Sequence, residues 1–200
     1  MNLVERAKNI LLTPAKEWEV IKGENLTIAD IFTKYAMILA AIPAVAGFIG
    51  YSLIGVSYGF GTFRVPIGSS LVWAILQYIL SLAGVFVVAL VMDALAPTFG
   101  CSKNLVAAVK IAAFSYTAAW VAGIFNLIPS LGILVGIASL YMLYLLYLGM
   151  KIIKDVPADK LIGYFLVTLI AVVVVYVVIG MLVGAIAFGN MSALGGIRTF

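Results

Sequence analysis

Asp93, Lys103 and Lys110 are the ionisable residues closest to the apolar interior of this 200-residue chain. An acid beside a membrane-crossing stretch, with lysines in reach, is the raw material of ion coupling. Asp93 ends its stretch, in "VMDALAPTFGCSK", rather than sitting at mid-membrane, and at a helix C-terminus it opposes the helix dipole. The expected role is a loop anchor partnered by Lys103 or Lys110, with ion coupling as the competing reading. Gln77 and Asn126 are the other polar residues inside apolar stretches. Gln77 is expected to bond across helices, and Asn126 to tie down the short turn "IPS". The chain has no histidine and one cysteine, Cys101, which excludes imidazole catalysis, His-ligated metals and an internal disulfide. There is no H-E-x-x-H, no G-x-S-x-G and no paired-carboxylate motif, and "GFGTFR" is too short for a phosphate loop. Neither enzymatic activity nor a cofactor or metal is expected.

The elements that must position these residues are legible in the composition. Hydrophobic residues make up 65% of the chain and charged residues 10%, against about 25% charged in a soluble domain. Five windows reach the roughly 20 apolar residues that a helix needs to cross a hydrocarbon core of about 30 Å. They are 35–56, 71–92, 104–127, 131–150 and 161–188, the third being the weakest because Lys110 lies inside it. The β-branched run "AVVVVYVVIG" lacks the polar–apolar alternation of a barrel strand, and open sheet edges are too costly in lipid, so helix overrides propensity. The expected fold is all-α: interfacial helices over 1–32, a five-helix transmembrane bundle over 33–190 and a short extracytosolic tail over 191–200.

Alternating sides places Arg6, Lys8, Lys16, Lys22, Lys34, Lys103, Lys110, Lys151, Lys154 and Lys160 with the N-terminus, and only Arg64 and Arg198 opposite. The positive-inside rule then predicts a cytosolic N-terminus and an extracytosolic C-terminus in the cell (inner or plasma) membrane. Lys110 is expected to snorkel to the headgroups from the third helix. The basic residues lie at segment ends rather than in a patch, so nucleic acid is not an expected partner.

Leu3, Val4, Ala7, Ile10 and Leu11 recur at helical spacing, and Thr13 with Pro14 starts a second short helix. Residues 1 to 22 are expected to lie on the cytosolic membrane surface, with Leu11, Trp18 and Ile21 as anchors in the bilayer interface. On this reading the segment recruits a protein partner or senses lipid, and deleting it leaves the bundle folded. The competing reading has it steady the bundle from outside. Small residues recur every four positions at Ser115, Ala119 and Gly123, at Gly132 and Gly136, and at Gly180 and Gly184. Such spacing lets helix backbones approach; contacts within one bundle are expected, with a homo-oligomer face as the alternative. Pro43 is expected to kink the first helix.

The lead-in "TPAKEWEVIKGEN", the run "AAFSYTAAWVAGIFNLIPSLG" and the segment "LYMLYLLYLGMKIIKDVPADKLIGY" together resemble prokaryotic Yip1-domain proteins, over about residues 3–184. The resemblance implies five spans with a cytosolic N-terminus. Eukaryotic members of that family are linked to vesicle traffic and prenylated small GTPases, but their Asp-Leu-Tyr-Gly-Pro motif is replaced here by "TIADIFTKY". GTPase binding is therefore not carried over. The expected function is a non-enzymatic multi-pass protein that organises membrane or recruits partners; the alternative is a small transporter or channel.

Overall fold

Hydropathy falls and burial rises together in the third of five long helices. In the computed structural model, which describes residues 2–58 and 61–188, those helices are Ile28–Ile54, Ile67–Phe99, Leu105–Leu127, Pro129–Ile153 and Ala158–Ile186. The most apolar window of the third has a mean hydropathy of 1.6 and is 78% buried inside the protein, whereas that of the fifth has 3.1 and is 22% buried. A helix wrapped by its neighbours does not have to satisfy lipid, so it tolerates a lysine. Its alanines, among them Ala108, Ala112, Ala113 and Ala118, are buried and small enough to admit helices on all sides. Ahead of the spans come α1 (Leu3–Leu12), capped by Asn2, and α2 (Pro14–Gly23), opened by its proline. Between the first two spans, β1 (Val56–Tyr58) and β2 (Gly61–Phe63) pair antiparallel, Val56 opposite Phe63.

The helices outrun the apolar windows at most of their ends. The first begins at Ile28 rather than 35 because Thr27 and Asp30 form a capping box, the Asp30 N–H donating to Thr27 Oγ1 at 3.1 Å. Lys34 then binds Asp30 one turn on, at 2.6 Å. Capping chemistry decides where a helix starts; hydropathy reports only which part of it meets lipid. The second helix likewise runs past Asp93 to Phe99, where Gly100 adopts φ 78° and lets the Cys101 N–H return to the Ala96 carbonyl. The expected 191–200 tail, with Arg198, lies outside the described residues.

The first span continues through Pro43, flanked by π-helical turns at Phe32–Ala36 and Gly50–Ile54. Its close partner is the third span. A Cβ on Gly123 would lie 2.5 Å from Pro43 Cβ, and one on Gly50 would lie 1.9 Å from the Asn126 carbonyl oxygen. Ser115 is fully buried and Ala119 packs against the core, so this small-residue row works inside the bundle. The other two rows do not. A Cβ on Gly132, Gly136, Gly180 or Gly184 would meet nothing within 4 Å. The expected intra-bundle contacts at those four glycines are therefore corrected: they face outward, because the fourth helix turns Gly149, and the fifth turns Val175 and Ile179, to their neighbours.

Gly50→Ala forces a methyl onto backbone that cannot swing aside and is expected to cost about 1–3 kcal/mol or more, whereas Gly180→Ala should leave stability unchanged. Thermal unfolding of the purified variants checks this; equal melting of the two would contradict the packing described.

Candidate functional site

Phe114, at the middle of the third span, gathers Trp18, Tyr35 and Arg6 around its ring. Trp18 meets its ring edge-on at 6.4 Å between centroids, Tyr35 lies tilted at 4.6 Å, and the Arg6 guanidinium carbon stands 5.7 Å from its centroid. The Thr117 hydroxyl donates to the Phe114 carbonyl at 2.7 Å, so its oxygen accepts from Tyr35 OH, also at 2.7 Å. Trp18 and Ile21 are wholly buried, and a Cβ on Gly149 of the fourth span would lie 2.9 Å from the Trp18 ring. The expectation that Leu11, Trp18 and Ile21 anchor in the bilayer interface is corrected: Trp18 and Ile21 are core residues and Leu11 packs beside them. The apolar face of an amphipathic hairpin is satisfied equally by lipid or by protein, and here protein takes it.

Charge fastens the same hairpin. Arg6, itself buried, pairs through its two terminal nitrogens with Glu17 of α2 and with Glu24 beyond it. The Lys110 ammonium donates to the Ile21 carbonyl at 2.8 Å and the Glu24 carbonyl at 2.6 Å. These are carbonyls at the C-terminal end of α2, where the helix dipole favours a cation. Lys110 is thus 6% exposed and faces protein; the expected snorkel to headgroups is corrected, because oxygen acceptors inside the bundle are nearer. Lys22 closes the hairpin's outer end, its ammonium 2.7 Å from Asp155, which sits at φ 47° after the fourth span. A deletion of residues 1 to 22 would therefore uncover Phe114, Lys110 and Gly149.

Asp93 is partnered, though by neither expected lysine. Its carboxylate accepts from the Asn104 N–H at 2.6 Å, at the cap of the third span, and from Lys154 at 3.2 Å. Lys154 lies 61 residues away in sequence, which is why neighbours in the chain drew attention instead. Lys103 and Lys110 make no ion pair with it. The tie joins the ends of the second, third and fourth spans.

The helices leave a cavity of about 570 Å³ with walls from all five spans, Pro43, Gln77, Tyr116, Ser139 and Tyr176 among them. Tyr116 and Tyr176 stack there at 5.6 Å. Among the described residues, none that lines it is charged. Gln77 and Asn126 both border it, and neither side-chain amide bonds a protein group among the described residues. The cross-helix bond expected of Gln77 and the turn tie expected of Asn126 are corrected accordingly; Asn126 instead lays its backbone against Gly50. A smaller cavity of about 370 Å³ lies beside the β-hairpin, between Tyr51 and Trp73.

The sequence profile of the Yip1 domain matches residues 8–198. Inner membrane protein YohC of Escherichia coli K12 is 32% identical over 151 residues, 74% of this chain and 77% of the relative, and the protein of the same name in a second strain matches equally. The chain belongs to the Yip1 domain family. No solved structure matches it. This Yip1-domain protein is an integral membrane protein with five apolar helices. Its buried Arg6 was passed over because a cation six residues from the start reads as a surface charge. The signal that could have found it is the spacing of Glu17 and Glu24, two turns apart on α2 and its exit, with Arg6 on the apolar face of α1.

Proposed function

We propose that this Yip1-domain protein is a non-enzymatic organiser of the cell membrane that thins or sorts lipid on one flank, with its N-terminus in the cytosol. One observation carries the reading. Tyr141 of the fourth span donates to the Leu11 carbonyl at 2.8 Å. Tyr141 lies about 18 Å along the helix from its basic end at Ile153, counted at 1.5 Å per residue. The tip of the α1–α2 hairpin therefore reaches deep along the bundle while its outer side carries exposed Glu5, Lys8, Lys16 and Glu19 beside Val4, Leu12 and Val20.

Charged side chains do not face hydrocarbon, so headgroups must come to the hairpin. On that flank the fourth helix offers lipid only its far half, roughly 18 Å against the usual 30 Å or so. The fifth helix, on another side, carries no charged residue from Leu161 to its described end. A bilayer meeting both must thin locally, and such mismatch sorts proteins and lipids. Val4, Leu12 and Val20 are suited to the headgroup–acyl boundary, and the same rigid surface can seat a protein partner. The crowding of basic residues at the hairpin end supports the cytosolic placement.

A second reading, passage of a small solute, is favoured by the cavity, but only for an uncharged one. Asp93 and Lys110, the groups an ion pathway needs, are engaged at the hairpin end and away from it.

Reconstituted into membranes with coexisting thin and thick lipid regions, the protein should partition to the thin ones, and replacing Lys8, Lys16 and Glu19 by leucine should abolish the preference. Indifference of the wild-type protein to thickness would overturn the proposal. Orientation is read at Cys101, in the loop at the hairpin end. A membrane-impermeant maleimide should reach it in inverted vesicles but not in intact cells. Burial pushes the thiol up from its ordinary value, so the reactive thiolate is scarce at neutral pH and labelling should quicken as pH rises. Labelling in intact cells would reverse the topology.

A further inference from the structure

We infer that the central cavity is a binding site for a neutral lipid, one whose uncharged head carries hydroxyl and ester oxygens, as a diacylglycerol does. The inference stands on the cavity and not on the hairpin, so either can fail without the other.

The site's interior selects against charge. Among the described residues its walls hold no acid, lysine or arginine, so a phosphate or ammonium group drawn in would lose its water without gaining a counter-ion there. They do hold hydrogen-bonding groups that the protein leaves idle. The Gln77 and Asn126 amides each offer a carbonyl oxygen and an NH2, and neither has a partner among the described residues. Gln77 lies about 15 Å along the second span from Ile67, counted at the helical rise, which puts its amide near mid-membrane where no bulk water serves it. Polar groups in that position need something to bind. A head that both donates and accepts fits them, and stacked Tyr116 and Tyr176 give it an apolar face to lie on.

The entrance selects for a tail. The fourth and fifth spans meet edge-on at Tyr147 and Phe165, close to the loop that joins them, and touch little beyond it. Where they part, the cavity wall includes Leu140, Val173 and Val177, which are 67%, 52% and 49% exposed. A molecule entering there comes from the bilayer and can leave its chains in it. The volume of about 570 Å³ lies within the usual range for a bound small molecule and suits a head with the first part of its chains.

The test uses the full chain in lipid nanodiscs and a diacylglycerol carrying a diazirine on its acyl chain. Irradiation should label peptides covering 135–143 and 169–177, and excess unlabelled diacylglycerol should remove that label. Gln77→Leu should lower the competable label about tenfold, the scale of one lost buried hydrogen bond. Leu140→Trp narrows the mouth from a lipid-facing position that bears no packing load, and should lower it similarly with melting unchanged. It decides the matter if Gln77→Leu fails to fold. Label that excess diacylglycerol does not displace, equal labelling by a diazirine phosphatidylglycerol, or a Leu140→Trp protein labelled like the wild type would each overturn the inference.

Discussion

An ammonium or guanidinium group that leaves water must be met by oxygen, and in this protein that requirement closes the N-terminal hairpin through Arg6 and joins it to the bundle through Lys110. Lys110 rises from the most buried helix and finds the Ile21 and Glu24 carbonyls. Arg6 enters the same region and finds Glu17 and Glu24. Arg6 pairs within the hairpin and holds α1 to α2, whereas Lys110 reaches in from the third span, so the hairpin cannot leave without stranding Lys110. Removing one partner of the buried Arg6–Glu17 ion pair costs about 3–5 kcal/mol, a large share of a protein's net stability. The apolar contacts of Trp18 with Phe114 and Gly149 then follow, because the charges have already chosen the hairpin's position.

From that constraint the rest of the architecture divides its tasks. The third span serves as the protein's interior and can be alanine-rich and moderately hydrophobic; the fifth serves as its lipid-facing wall and is strongly hydrophobic. The basic end is tied by Lys22 to Asp155 and by Lys154 to Asp93, while the other end is held by backbone approach at Gly50 and Gly123. Between the two ends the helices part enough to leave an uncharged cavity. Rigidity at the ends and space at the middle are therefore parts of one design.

The five spans were legible because backbone amides without water must coil, and that rule needs only a window of apolar residues. Capping at Thr27 and Asp30 was equally local, yet a hydropathy window is blind to it. What could not be read was which surface an amphipathic face prefers. Trp18 and Ile21 carry the same pattern whether they meet lipid or Phe114. The small-residue rows at 115–123 and 180–184 have identical spacing, and only the presence of Pro43 opposite Gly123 tells them apart. Asp93 and Lys154 are similarly invisible as a pair, since chain separation conceals the loop that brings them together. The empty space beside Gln77 depends on five helices at once.

Hydrogen exchange across α2 tests the fastening of the hairpin most directly. In detergent or nanodiscs the backbone N–H groups of residues 17–23 should exchange as slowly as those of the third span around Phe114, and Lys110→Met should speed α2 far more than it speeds the spans. Fast exchange of α2 in the unaltered protein, at the rate of a helix resting on a membrane surface, would contradict the account.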